Sequence, residues 1–126
     1  MNNEFIPFEQ ALALKELGFN EPCFMQWTYA PELIFCVDNW GNPKFKTNKE
    51  SYSDSAGDYI SAPLYQQAFR WFREKYRISP IITCYSELGN AWKYHIPNED
   101  GEQGFNTYEQ AELACLIKLI EICKNK

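Results

Sequence analysis

The sequence predicts an α+β domain in the order αββ, αββ, α: a four-stranded, mainly antiparallel sheet of two hairpins, with helices packed on one face and the third helix central. Three observations carry this expectation. Three segments place apolar residues at helical spacing, and two pairs of short apolar or alternating segments are separated by turn residues. The composition, 45% apolar and 23% charged over 126 residues, is that of a globular domain. A chain of this length buries roughly two-thirds of its unfolded surface, enough for one core without disulfide or metal staples.

The first helix is expected over residues 7–18, with Phe8, Ala11, Leu12 and Leu17 at helical spacing. Pro7 suits the first turn, where its missing N–H is not needed, and Gly18 suits a left-handed C-terminal cap. Residues 23–29 read as an aromatic-rich strand, Ala30-Pro31-Glu32 as a turn and residues 33–37 as a second strand, giving the first hairpin.

Residues 38–61 are dominated by Asn, Ser, Asp and Gly and read as one long loop, with a short edge strand at residues 44–47. Loops longer than about 12–15 residues are uncommon inside compact domains and are either functional or mobile. Ser61-Ala62-Pro63 reads as an N-cap and first turn for the second helix. Leu64, Tyr65, Ala68, Phe69, Phe72 and Tyr76 share one face of that helix, opposite Gln66, Arg70, Arg73, Glu74 and Arg77. Trp71 falls on the flank.

A second hairpin is expected from residues 81–86 and 91–96 around Glu87-Leu88-Gly89-Asn90. In its second strand Trp92, Tyr94 and Ile96 alternate with Lys93 and His95, the pattern of a half-buried antiparallel strand. Residues 97–106 read as a polar loop, and Thr107 with Gln110 as a capping box opening the third helix, which runs to about Lys124. That helix carries a main stripe of Tyr108, Ala111, Cys115, Leu119, Ile122 and Cys123 and a second of Leu113, Ile117 and Ile120. A helix apolar over more than one face is either central in a core or covered by a partner, here a possible homodimer through the second stripe. An aromatic two residues before Gln-Ala opens all three helices, and a shift of 57 residues superposes the two αββ units, which reads either as a duplication or, since identities beyond Gln-Ala are at chance level, as a recurring good first helical turn.

Charge excludes the simplest class of partner. Twelve Lys and Arg against seventeen Asp and Glu give a net charge of −5, which disfavours nucleic acid because phosphate binding depends on clustered cations. The start of the chain lacks the basic and apolar pattern of a secretory signal, and no apolar run is long enough to span a bilayer. Five cysteines without a C-x-x-C pair support neither a disulfide framework nor a zinc ribbon, so a reducing cytoplasm is the expected setting.

No residue is nominated as catalytic, and no metal or cofactor motif is present. His95, the single histidine, sits on the polar face of its strand. Glu112 lies within the apolar arc of the third helix, either as a buried acid with a raised pKa or as a residue of the turn before the helix enters the core. The 21 aromatics are the better lead. Four of them, Trp40, Phe45, Tyr52 and Tyr59, fall in the long loop, where they either form a binding surface, with contact area at low entropic cost, or fold the loop back onto the domain.

The candidate partner- or ligand-binding residues are therefore Trp40, Tyr52, Tyr59, Trp71, Trp92, Tyr94 and His95. Two functions are expected from them. The first is a non-enzymatic interaction protein using the aromatic loop; the second is a binder of a nucleotide or metabolite, or an enzyme, with Trp92, Tyr94 and His95 lining an aromatic pocket.

The strings Ala62-Pro-Leu-Tyr-Gln-Gln-Ala-Phe-Arg-Trp-Phe-Arg-Glu-Lys-Tyr76 and Tyr108-Glu-Gln-Ala-Glu-Leu-Ala-Cys-Leu-Ile-Lys-Leu-Ile-Glu-Ile122, with Ala13-Leu-Lys-Glu-Leu-Gly-Phe19 and Glu21-Pro-Cys-Phe24, are distinctive. They resemble a family of small uncharacterised proteins common in Bacteroidetes genomes, often within prophage-like or mobile-element regions. The resemblance covers most of the chain outside the two polar loops. It implies an accessory role in a phage or mobile element and no particular mechanism.

Overall fold

The computed structural model describes residues 4–49, 53–54 and 57–126, and the chain is α+β. Its internal contacts divide it into two compact units, Met1–Leu64 and Tyr65–Lys126.

The first unit opens with α1 (Phe8–Glu16). Pro7 is its N-cap rather than a residue of its first turn, and Gly18, at φ 99°, takes the left-handed position after the last turn as expected. Strands β1 (Met25–Trp27) and β2 (Leu33–Phe35) form the expected antiparallel hairpin, with Trp27 opposite Leu33 and Met25 opposite Phe35. The hydroxyl of Thr28 closes its turn by accepting the N–H groups of Ala30 and Glu32. The segment read as one long loop carries the short pair β3 (Ser53–Asp54) and β4 (Gly57–Asp58), then β5 (Ile60–Ser61). β5 pairs with the other side of β1, so the sheet order is β2-β1-β5. The edge strand expected at residues 44–47 is reduced to a bridge between Cys23 and Lys46. Phe5, Met25 and Ala62 form a buried cluster against which Phe24, Trp27, Leu33 and Leu64 pack, and the Trp27 indole donates to the Ile6 carbonyl at 2.9 Å.

The second unit opens with α2 (Tyr65–Tyr76), three residues later than the Ser61 cap predicts. Ser61 is a strand residue opposite Gln26, and Leu64 bridges Phe5, so strand pairing prevails over a locally adequate helix start. The apolar stripe of α2 is otherwise as expected, with Tyr65, Ala68, Phe69 and Phe72 buried. The helix ends on Arg77 at φ 60°, a left-handed closing residue without glycine, with the Ile78 N–H reaching back to the Phe72 carbonyl at 3.4 Å.

Strands β6 (Ile81–Cys84) and β7 (Trp92–His95) form the second hairpin, with Gly89 at φ 72° in its turn. The polar segment before the third helix supplies β8 (Glu102–Phe105), which pairs with β7 through a bulge at Gly104, φ 93°. Helix α3 (Tyr108–Lys124) is capped by Thr107, whose hydroxyl accepts the Gln110 N–H. The Gln110 side chain reaches back to the Asn106 N–H, one residue earlier than in the usual capping box. Within its unit α3 packs against all three strands and α2.

The expected single four-stranded sheet does not form among the described residues. Each hairpin belongs to its own three-stranded antiparallel sheet, completed by a strand from a segment that reads as loop. Neither Ile60-Ser61 nor Glu102–Phe105 carries a long enough apolar alternation to announce itself. What recruits them is the row of unpaired N–H and C=O groups on β1 and β7. The two units share the order helix then strands, but β1 is central in one sheet and β7, the second strand of its hairpin, in the other. That difference weakens the suggested duplication.

Candidate functional site

After β2 the chain stays extended through Val37, which bridges Pro43, and the residues between them form a tight turn. The Asp38 N–H donates to the Asn42 carbonyl at 2.8 Å, and the Gly41 N–H to the Asp38 carbonyl at 3.1 Å. The carboxylate of Asp38 accepts the backbone N–H groups of Trp40 at 2.8 Å and Asn42 at 2.9 Å. Those two bonds hold the Asp38 carboxyl below its ordinary pKa. Gly41, at φ 82°, permits the left-handed step that follows.

This turn presents Trp40 with 84% of its surface exposed. Phe35, at 58% exposed, and Val37 lie on the same face of the outgoing strand by alternation, while Cys36 between them is buried. On the returning segment Phe45 is 61% exposed and leans edge-on against Phe24 at 5.9 Å. The first unit therefore carries an aromatic surface on a turn pinned by side-chain and backbone hydrogen bonds.

No protein-family model matches the chain, and no curated protein or solved structure is similar to it.

The other candidate residues are distributed differently. Tyr52 lies outside the described residues, and Tyr59, next to β5, is half-buried. Trp71 is buried: its ring meets Phe72 at 5.1 Å and Tyr76 at 5.6 Å, and the Lys75 ammonium lies 5.0 Å from its centroid. Trp92 is half-buried, edge-on to Tyr108 at 5.3 Å, with its indole donating to the Gly89 carbonyl. Tyr94 is buried, stacks on Phe105 at 6.1 Å and has its pKa pushed up to about 12 by burial and by Glu102. His95 is exposed on the opposite face of β7. Trp92, Tyr94 and His95 therefore do not share one aromatic wall. Tyr94 and His95 contribute instead to an open cleft of about 280 Å³ with Lys93, Gly101, Glu102 and Gln103.

The second unit also contains a cleft of about 330 Å³ between α2, the start of β6 and the first turns of α3. Phe69, Pro80 and Ile82 give it an apolar lining, and Gln66, Arg73, Tyr108 and Glu112 supply its polar groups. Glu112 is only 7% exposed. Burial raises its pKa, the Tyr108 hydroxyl bond lowers it and Glu109 adds to the rise. The carboxyl in turn helps burial push Tyr65 and Tyr108 up to about 12.

The five cysteines form no disulfide, and burial pushes Cys36 up to about 11 and Cys115 to about 12, so both are inert thiols at neutral pH. Among the described residues no group of three His, Cys, Asp or Glu side chains stands ready to hold a metal, and no helix is long and apolar enough to cross a membrane.

Sequence reasoning missed Phe35, which reads as core in an apolar run, and the role of Asp38. The Asp-x-x-Gly spacing of residues 38–41 was the signal available for the turn. Arg73 reads as one of several surface cations on α2 until the fold brings it to the same cavity as Glu112.

Proposed function

We propose that the chain is a non-enzymatic interaction protein that engages a protein partner through the Trp40 turn. The observation that carries this reading is the exposed indole on a pre-ordered turn. Tryptophan is enriched among residues that dominate binding energy, and a turn already fixed loses little entropy on docking. Phe35, Val37 and Phe45 extend the contact, so the partner would offer an apolar pocket for the indole with an apolar rim. The lack of a disulfide among the five cysteines supports a reducing, cytoplasmic setting. The family resemblance adds an accessory role in a phage or mobile element.

Self-association through α3 is part of the same proposal. Ile117 is 45% exposed and Leu113 half-buried, whereas Ile120 is buried, so a homodimer contact would rest mainly on the first two. Light scattering at low micromolar concentration that gives a strict monomer removes the dimer. For the turn, wild type, Trp40→Ala and Phe45→Ala are compared in capture from host lysate. Loss of a specific partner in the variants, with unchanged melting, supports the reading, and an unchanged set of captured proteins overturns it.

A further inference from the structure

Two opposite charges line the cavity of the second unit, and neither has an ion-pair partner among the described residues. Glu112 sits near the start of α3, almost covered, and among the described residues it hydrogen-bonds the Tyr108 hydroxyl on the preceding turn. Arg73, exposed on α2, lines the same cavity. The two do not meet each other within ion-pair distance. The rest of the lining comes from the apolar Phe69, Pro80 and Ile82 and the polar Gln66 and Tyr108.

A covered carboxylate without a cation is costly to keep, and a well-packed apolar residue at the same position of α3 would serve the fold better. Opposite charges that share one cavity with apolar side chains without pairing match a ligand that carries both complementary charges and an apolar body. The volume, near the lower end of the roughly 300–1,000 Å³ typical of ligand pockets, restricts that ligand to a small molecule.

We infer that this cavity binds a small zwitterion of the α-amino-acid class with an apolar side chain. Its ammonium is received by Glu112, its carboxylate by Arg73, and its side chain by Phe69, Pro80 and Ile82. The Tyr108 hydroxyl orients the Glu112 carboxylate, and Gln66 supplies a further hydrogen-bonding group at the mouth. The site is separate from the Trp40 surface and does not depend on it.

Calorimetric titration of the full chain tests this with L-leucine, L-methionine and L-phenylalanine. Two half-molecules of leucine serve as comparisons: 3-methylbutylamine, which lacks the carboxylate, and 4-methylpentanoate, which lacks the amine. At least one amino acid binds, and more tightly than its half-molecules by about tenfold, the equivalent of 1.4 kcal/mol. Glu112→Gln, which keeps an acceptor for Tyr108, and Arg73→Gln, at an exposed position that cannot unfold the chain, each weaken binding by about tenfold or more. The inference is overturned if no amino acid of the series binds at about 10 mM, a range already weaker than the 1 mM that corresponds to −4.1 kcal/mol. It is equally overturned if a half-molecule binds as well as the zwitterion, or if neither substitution changes the affinity.

Discussion

The Asp38 carboxylate accepts the backbone N–H of Trp40 at 2.8 Å, so the most exposed tryptophan of the described residues is presented by a fixed turn. Trp71, on α2, is buried among Phe72 and Tyr76. Trp40→Ala therefore changes unfolding free energy by no more than about 0.5 kcal/mol, the scale of surface substitutions, while Trp71→Ala costs about 3–5 kcal/mol. Urea denaturation of the two variants checks this. A large loss from Trp40→Ala would mean that its indole packs onto the protein.

The turn itself responds to acid. Because Asp38 has a lowered pKa when folded, its ionised form binds the two N–H groups and its contribution is present above the ordinary Asp value near 4. That contribution is lost as pH falls through the folded pKa. Amide exchange at Trp40 and Asn42 is expected to accelerate on acidification relative to the intrinsic rate, and Asp38→Ala to remove their protection at all pH values.

Glu112 has the opposite sign. Its folded pKa is raised, chiefly by burial, so its contribution to stability is complete below the ordinary Glu value near 4.3 and is lost as pH rises through the folded pKa. Glu112→Gln should match wild type in stability near pH 4 and exceed it at pH 7 by on the order of 1 kcal/mol. Thermal melting across that range measures the difference, and equal stabilities at pH 7 would show that the carboxylate is well compensated.

Arg77 closes α2 at φ 60°, a conformation that costs a non-glycine residue roughly 1–2 kcal/mol. Arg77→Gly removes that strain but adds backbone entropy to the unfolded chain, so the expected net gain is about 0.5–1 kcal/mol. A melting temperature unchanged or lowered would contradict the left-handed assignment.

Gly101 approaches the Tyr94 carbonyl so closely that a Cβ there would collide with backbone. Gly101→Ala should cost about 1–3 kcal/mol, as overpacking does, and loosen the β7–β8 pairing first. Faster amide exchange in β8 at unchanged exchange in α1 is the expected signature.

Much of this was legible in the residues. The stripe of α2, the Thr107 and Gln110 cap of α3, the Gly18 cap of α1 and both hairpins rest on interactions within a few residues, and the structure shows each of them. The start of α2 was misread because Ser61-Ala62-Pro63 satisfies the local rules for a helix N-terminus while Ser61 is claimed by β1. The cavity was half legible: Glu112 stands out inside an apolar arc, but nothing in α2 singles out Arg73 from Arg70 and Arg77.

The sequence by itself determined the three helices, the two hairpins and an aromatic excess in a polar segment, because periodicity and capping are written in neighbouring side chains. Tertiary structure decided that each hairpin gains a third strand, that Trp71 is covered while Trp40 is not, and that Arg73 and Glu112 line one cavity. Edge pairing uses backbone groups that every residue shares, and burial depends on what the fold lays against a side chain. Neither quantity is encoded at the position where it acts.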